Sequence, residues 1–256
     1  MTFGIFYVAT GSKYLQEVVA NINLTKSFFV DIPIAVSTDL VDTAINTSLF
    51  SKVIPHLNPT YSYRDKIIGL QDLPFSHTLF LDTDVKPSAS VSDISASFFP
   101  FSLAGCHAPV RIPPGWNDVS VPPLFPEINT GVLFLKNSLL INTLLERWLC
   151  LYDTLLSSHN QLWDQASFRS VVWDYISTNS LSPFILPSEF NLRTTKTWIV
   201  GRGIKNYFVH GRFPDDEWLA FSSYLNDDID RVRTCFEWSA QHSNSYIRPR
   251  YDNTFG

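Results

Sequence analysis

The sequence predicts an α/β fold in which a mixed, mainly parallel sheet is flanked by helices. Two observations support this class. Short apolar segments alternate with amphipathic ones in the first third of the chain, which is the βαβ pattern of a parallel sheet. The segment from Thr78 to Leu81 is apolar on both faces, as expected for a strand inside such a sheet. The chain has 256 residues, 45% of them hydrophobic, which is enough for one domain with a large core.

The first half of the chain predicts six elements. The first helix carries its apolar residues at helical spacing, as in Leu15, Val18 and Ile22, and Pro74 is expected to stop the second. In chain order, we expect a strand at 3–9, a helix at 13–24, strands at 32–36 and 52–54, a helix at 64–73 and a strand at 78–81.

The second half opens with a region rich in Pro and Gly at 100–126, which predicts extended segments and loops. Asn137-Ser138 is expected to cap a strongly amphipathic helix. The predicted elements are a strand at 128–135 interrupted at Gly131, helices at 138–156 and 161–176, a short return strand at 186–192 and a last strand at 207–210. The segment after Ser239 is a polar tail.

Composition excludes several classes of protein. A net charge of −5 gives no indication of nucleic-acid binding. The three cysteines are far apart and odd in number, so we expect no disulfide framework and a reducing, cytoplasmic compartment. We find neither a signal peptide nor an apolar run of about 20 residues, and we expect a soluble protein without an integral membrane span, although peripheral membrane contact is compatible with this. The sequence does not indicate an oligomeric state.

The most informative motif is Asp82-Thr83-Asp84, directly after the buried strand at 78–81. Residues i and i+2 of an extended segment point the same way, so both carboxylates lie together where α/β sheets place their ligands. Two adjacent negative charges repel each other, and we therefore expect a cation between them. A hard divalent cation suits oxygen ligands and commonly bridges carboxylates and phosphates. The alternative is a helix-capping or solvated loop acid.

Further motifs follow in a fixed order along the chain. Together with Asp82-Thr83-Asp84 they resemble the GT-A-fold glycosyltransferases, in particular the glycogenin-like and bacterial lipooligosaccharide galactosyltransferase-like family. The resemblance spans roughly residues 3–213 as scattered motifs. These are Lys66 to Val85, Asn129-Thr130-Gly131-Val132, Trp163-Asp164-Gln165, Leu186 to Asn191, and Val209-His210-Gly211.

The resemblance implies a single GT-A domain with a nucleotide-binding half at 1–92, a sugar and acceptor half at 93–240 and the polar tail at 241–256. It also implies a metal site for Mn²⁺ or Mg²⁺ formed by Asp82, Asp84 and His210, because neutral imidazole can bind Mn²⁺ alongside carboxylates. A hydrogen-bonded histidine at a strand end is the alternative for His210.

The resemblance further implies which residues bind the nucleotide donor: Ala9, Thr10, Gly11, Tyr14, Asp39, Lys66, Asp82, Thr83, Gly131, Gly211 and Arg212. Tyr14 would stack on uracil, although a tyrosine packed on the helix surface is an equal alternative. Asp39 could be a turn acid and Lys66 a solvated lysine, with Arg64 a weaker candidate.

The sequence departs from the family after its His-Gly segment. The related enzymes carry Lys-Pro-Trp, which holds the diphosphate, whereas this chain has Arg212-Phe213-Pro214. Arg212 could bind phosphate in a fork geometry, and Lys205 or Arg202 could also hold the phosphate.

The catalytic residues implied are Asn129, Asp164 and Gln165. Asn129 would lie near the transferred sugar and the other two below its anomeric carbon, whereas a plain helix cap is the alternative for Asp164. Related enzymes with an Asp-Gln pair retain the anomeric configuration, and we expect the same here. The alternative is an inverting enzyme with Asp164 as base. Trp116 would cover the site or anchor its loop.

The expected function is metal-dependent transfer of a sugar from a nucleotide diphosphate donor, a UDP-sugar, to a glycan or another hydroxyl acceptor. A haloacid dehalogenase phosphatase is disfavoured because Lys86 replaces the Thr or Val that such enzymes place there. A sugar nucleotidyltransferase and a carbohydrate-binding protein without activity remain alternatives.

Overall fold

The computed structural model describes residues 2–108, 118–194 and 204–227. The expected site residues all lie in these ranges. The expectations for Trp116, Arg202 and the tail at 241–256 lie outside them.

Strands and helices alternate through the first half of the chain. In chain order, the elements are β1 (Phe3–Val8), α1 (Ser12–Thr25), β2 (Ile34–Thr38), α2 (Val41–Asn46), β3 (Lys52–Pro55), α3 (Tyr63–Gly69), β4 (His77–Leu81), β5 (Val85–Pro87), α4 (Ser92–Ser95), β6 (Leu103–His107), β7 (Ile128–Lys136), α5 (Leu139–His159), α6 (Asp164–Ser177), β8 (Phe184–Leu186), β9 (Leu192–Arg193), β10 (Phe208–His210) and α7 (Asp215–Asp227).

The main sheet has seven strands in the order β3-β2-β1-β4-β7-β6-β8. All neighbouring pairs are parallel except those of β7, which runs antiparallel to β4 and to β6. This confirms the expected α/β class with a mixed, mainly parallel sheet. A second sheet of three strands has the order β5-β10-β9. This sheet brings β9 and β10 next to the end of β4.

Two hydrophobic cores cover opposite faces of the main sheet. Successive residues of a strand point to opposite faces, and Ile5 and Tyr7 belong to one core whereas Phe6 belongs to the other. The first core receives α1, and the second receives α3, α5 and α6. Strands that are apolar on both faces are therefore central in this sheet.

Three predicted boundaries were wrong. The helix expected at 64–73 ends at Gly69, and the chain continues in turns with i to i−3 bonds, such as Gln71 N to Ile68 O at 3.0 Å. These turns preserve the apolar spacing. The helix expected from residue 161 begins at Asp164. The single return strand at 186–192 is two strands in different sheets, because the turn at Ser188–Phe190 separates them.

Gly131 does not interrupt β7, which is continuous from Ile128 to Lys136. The irregularity in this part of the sheet lies in β6, between Gly105 and His107. The strand β6 itself falls in the region expected to be loops and extended segments. The helix α7 was not predicted at all. Among the described helices, none combines the length and the apolar character that a membrane crossing requires.

Candidate functional site

The candidate site is a cavity of about 400 Å³ at the ends of the central strands of the main sheet. The parallel strands β1 and β4 end there, and the antiparallel strand β7 begins there. Open α/β sheets bind their ligands at this side, outside the carboxyl ends of the parallel strands. The small sheet, α1, the start of α6, and α3 with the turn before it also contribute to its walls.

Asp82, Asp84 and His210 converge at the end of β4. Each offers one ligand atom, and these atoms all lie within 4.8 Å of one another. His210 Nε2 is 3.3 Å from Asp84 Oδ1 and 3.9 Å from Asp82 Oδ2. The pairing of β10 with β5 produces this geometry, because it sets His210 opposite Val85 in antiparallel register.

Gly131 leaves room for this cluster. A Cβ atom at Gly131 would lie 2.8 Å from Asp82 Oδ2 and 2.8 Å from His210 Nδ1, which is closer than real side chains approach. The glycine is therefore required by the close approach of two candidate ligands. A hard or borderline divalent cation such as Mn²⁺ or Mg²⁺ suits two carboxylates and an imidazole, so the residues present fit the expected metal.

The surroundings of this cluster shift the pKa values of the two aspartates in opposite directions. Burial opposes ionisation of Asp84, but the contact with His210 and the charges of His210, Arg193 and Arg212 lower the pKa of its carboxyl well below the usual range. Burial raises the pKa of Asp82, assisted by the charges of Asp84 and Asp164 and opposed by Lys66. Asp84 is thus the stronger candidate for a direct metal ligand.

Lys66 lies inside the site and is not a solvated helix lysine. Its Nζ is 3.1 Å from Asp82 Oδ1 and 2.9 Å from Asp164 Oδ2. It also donates to Thr130 Oγ1 at 3.2 Å. Burial disfavours the charge, but Asp164 and Asp82 raise the pKa of Lys66 far enough to keep the ammonium charged. A buried charge needs such partners, and here one lysine connects the metal side of the site to α6.

A continuous chain of hydrogen bonds joins α6 to the metal cluster. Gln165 Oε1 accepts from Asn129 Nδ2 at 2.7 Å, and Asn129 Oδ1 accepts from Asn191 Nδ2 at 2.7 Å. Asn191 Oδ1 lies 2.9 Å from His210 Nδ1. At the other end, Gln165 Nε2 donates to Glu127 Oε2 at 3.3 Å.

One backbone group fixes the direction of this chain of hydrogen bonds, which we call the amide chain. The N–H of Gly131 donates to Asn129 Oδ1 at 3.0 Å, and a backbone N–H can only donate. The orientation of the Asn129 amide follows, and each neighbouring amide must then point the same way. Asn191 therefore presents its carbonyl oxygen to His210, so Nδ1 carries a proton and Nε2 keeps the lone pair for a metal or for Arg193 Nη1, which lies 2.9 Å away. A partner of this kind commonly fixes the tautomer of a metal-binding histidine.

Asp164 and Gln165 sit at the first turn of α6, as the sequence predicts. Asp164 is buried, and its Oδ2 accepts from Thr130 Oγ1 at 2.6 Å as well as from Lys66. The indole of Trp148 donates to the backbone carbonyl of Asp164 at 3.1 Å and holds the start of the helix. Burial, followed by the charge of Asp164, raises the pKa of nearby Glu127 to about 7.

The opposite end of the cavity contains the residues expected at the nucleotide base. Tyr14 and Thr10 line the cavity. Asp39 lies behind this wall, where it accepts from the N–H of Gly11 at 2.7 Å and from the Tyr61 hydroxyl at 3.2 Å. Gly11 has a φ of 81°, which favours glycine. Asp39 therefore shapes the turn after β1, and Tyr61 is a cavity residue that was not predicted.

Not every predicted residue reaches the cavity. Ala9 is buried in the first core. The Thr83 hydroxyl donates to Glu17 at 2.6 Å, although Thr83 also lines the cavity. Gly211 has a φ of 128°, and its N–H donates to Asp84 O at 3.0 Å, so its role is to shape the turn after β10. Arg64 pairs with Asp153 at 2.7 Å away from the cavity lining.

Several residues of the site were missed by the sequence reasoning. They are Thr130, Tyr63, Trp163, Glu127 and Arg193. Trp163 and Tyr63 stack with ring centroids 6.0 Å apart at the cavity, and both are partly exposed. One signal was available for Arg193, because it lies two residues after Asn191 and can share its direction in an extended segment.

Known structures share this fold. Mouse xyloside xylosyltransferase 1 in its apo form matches with a TM-score of 0.54 and 13% identity, over 83% of this chain and 98% of that one. An active-site mutant of LgtC matches with a TM-score of 0.53 and 14% identity, over 93% of this chain and 95% of that one. The galactosyltransferase LgtC in complex with donor and acceptor sugar analogues matches with a TM-score of 0.51 and 12% identity, over 90% and 99%.

These matches show that the chain has the fold of the GT-A glycosyltransferases, as the sequence motifs predicted. No protein-family model matches the sequence, and a search of curated proteins finds no significant match. At these identities the likeness establishes the fold, and the chemistry must be argued from the residues of the site.

Proposed function

We propose that the protein is a metal-dependent glycosyltransferase that moves a sugar from a UDP-sugar to a hydroxyl group of a glycan or another acceptor, in the cytoplasm and with retention of configuration. The observation that carries the proposal is the convergence of Asp82, Asp84 and His210 at the sheet edge, in one cavity with Asp164 and Gln165. The cavity thus has a metal side for a diphosphate and a polar side for a sugar.

Asp82, Asp84 and His210 would hold Mn²⁺ or Mg²⁺, which acts as a Lewis acid and stabilises the negative charge of the departing nucleoside diphosphate. Lys66 keeps Asp82 and Asp164 in place by its two ion pairs. The amide chain through Asn191 keeps His210 Nε2 directed at the cluster. Tyr14 and Thr10 would bind the nucleoside at the other end of the cavity.

The contacts of Asp164 favour retention over inversion. An inverting enzyme needs a carboxylate free to take a proton from the acceptor. One oxygen of Asp164 already accepts from Lys66 and Thr130, so it is engaged within the protein and is not free to accept from an acceptor hydroxyl. Asp164 is therefore better suited to positioning and charge stabilisation than to general-base catalysis.

Thermal stabilisation by UDP tests the nucleotide and metal parts of the proposal. We expect UDP to raise the unfolding temperature of the protein in the presence of Mn²⁺ and to have little effect in the presence of EDTA. Asp84→Ala should abolish the Mn²⁺-dependent stabilisation. Asp174→Ala is the matched control, because Asp174 is an exposed aspartate that pairs with Arg147 on the helical side. Unchanged stabilisation in Asp84→Ala would contradict the metal site.

Product analysis tests the reaction. A panel of UDP-, GDP- and other nucleotide-sugars with Mn²⁺ should show hydrolysis or transfer for at least one donor. The nucleoside diphosphate is released, and the sugar in the product keeps the anomeric configuration that it had in the donor. Release of pyrophosphate would indicate a nucleotidyltransferase instead. Binding of free sugars without any effect of nucleotide or metal would indicate a carbohydrate-binding protein.

A further inference from the structure

Among the described residues, three positively charged side chains line the cavity: Lys66, Arg193 and Arg212. Two of them are neutralised by carboxylates of the protein. Lys66 is paired with Asp82 and Asp164. Arg212 is paired with Glu17, with Arg212 Nε 2.9 Å from Glu17 Oε1.

Arg193 is different. Within the described parts of the chain it forms no ion pair with a carboxylate, and its side-chain contacts are with the His210 ring. Its Nη1 lies 2.9 Å from Nε2 and 3.1 Å from Nδ1 of that ring. With Nδ1 protonated, only Nε2 of the ring can accept, so His210 engages a single N–H of the guanidinium. Its capacity to donate hydrogen bonds is therefore largely unused by the protein.

The backbone holds Arg193 firmly at this place. β9 pairs in parallel with β10, and Arg193 is in register with His210. The next residue, Thr194, donates its N–H to the backbone carbonyl of His210 at 3.1 Å. The guanidinium is close enough for its charge to lower the pKa of Asp84. It thus stands beside the metal cluster and faces the cavity.

A cation that has no carboxylate ion pair among the described residues, on the wall of a cavity and next to a site for a divalent ion, is suited to bind an anionic ligand. When the carboxylates of Asp82 and Asp84 are engaged by a metal ion, they compensate the charge of Arg193 less. A planar guanidinium offers paired N–H donors that match phosphate oxygens.

We propose that Arg193 binds the diphosphate of the nucleotide donor, and that it does so as the main side-chain phosphate contact of this site. The inference rests on the proposed function and adds to it the residue that recognises the diphosphate. Arg212 contributes less, because Glu17 neutralises it. Arg193 is then a determinant for nucleoside diphosphates against uncharged nucleosides.

Calorimetric titration of the full chain with Mn²⁺ present tests this assignment, with UDP and uridine as the two probes. Arg193→Met keeps the length of the aliphatic stem and removes the donors. We expect it to weaken UDP binding by about 10- to 100-fold, as for the loss of hydrogen bonds to a charged group. Uridine binding should change by less than about twofold, because uridine carries no phosphate. Arg193→Lys should lie between the two, because an ammonium keeps the charge but loses the fork.

Arg147→Met is the matched control, since Arg147 is an exposed arginine that pairs with Asp174 outside the cavity. It should bind both probes like the unaltered protein. Equal losses for UDP and uridine in Arg193→Met would show a structural role and overturn the inference, as would unchanged UDP binding. If Arg193→Met does not fold, Arg193→Lys is used instead, and its ratio of UDP affinity to uridine affinity is compared with that of the unaltered protein. Failure of the unaltered protein to bind UDP with Mn²⁺ would instead overturn the proposed function.

Discussion

Substitution of Asn191 tests whether the amide chain controls the metal site. Asn191 is 2% exposed and does not itself line the cavity. It links Asn129 to His210 through one donor and one acceptor. Asn191→Leu conserves the size and shape of the side chain and removes both hydrogen bonds.

The expected magnitudes follow from what is left unpaired. Asn129 Oδ1 still accepts from the N–H of Gly131, so it remains satisfied. His210 Nδ1 loses its acceptor, and a buried donor without a partner costs about 1–3 kcal/mol of unfolding free energy. The ring is then free to turn or to change tautomer. Loss of such an outer partner commonly weakens metal binding about 10- to 100-fold.

Urea denaturation measures the stability change, and calorimetric titration with Mn²⁺ measures the affinity. Asn191→Asp is the matched control. It keeps the acceptor for His210 but sets a carboxylate against Asn129 Oδ1, so we expect lower stability together with nearly unchanged Mn²⁺ affinity. If folded Asn191→Leu binds Mn²⁺ as tightly as the unaltered protein, the amide chain does not control the tautomer of His210.

Three other substitutions have defined outcomes. Gly131→Ala places a Cβ 2.8 Å from His210 Nδ1 and should destabilise the protein by about 1–3 kcal/mol while weakening Mn²⁺ binding, as read by calorimetric titration. Lys66→Met leaves buried Asp164 without its cation and should cost about 3–5 kcal/mol in urea denaturation at pH 7. Burial and the charge of Asp164 raise the pKa of Glu127 from 4.5 to about 7, so the folded protein holds a proton that the unfolded chain releases, and stability falls as pH rises through that window. Glu127→Gln cannot ionise and should be more stable than the unaltered protein by about 3 kcal/mol at pH 8, with little difference at pH 4.

The parts of the fold that the sequence predicted are local. The strands at β1, β2 and β4 were predicted because each is a short apolar segment bounded by polar or turn residues, and α1 and α5 because their apolar residues recur at helical spacing. Asp82 and Asp84 were predicted to lie together for the same reason, since they belong to one tripeptide, whereas His210 was implied only by the family resemblance.

The parts that were missed depend on contacts between distant residues. β9 has two residues and forms only by pairing with β10, so no pattern of its own identifies it. Arg193 became a candidate only when that pairing placed it beside His210. Likewise, Lys66 was open to interpretation as a solvated lysine, because burial against Asp164 cannot be read from either segment alone.

The amide chain joins side chains that are distant in the sequence, and it orients both sides of the cavity. The N–H of Gly131 fixes the orientation of Asn129, and through it both the amide of Gln165 and, by way of Asn191, the tautomer of His210. The sugar side and the metal side of the cavity are therefore oriented by one backbone group on a central strand. A change that reverses one amide must reverse the others or break a bond. The orienting N–H and the Asn129 amide belong to one tripeptide of β7, and the pairing of β7 with β4 brings that tripeptide beside Asp82, whose N–H donates to Gly131 O at 2.8 Å.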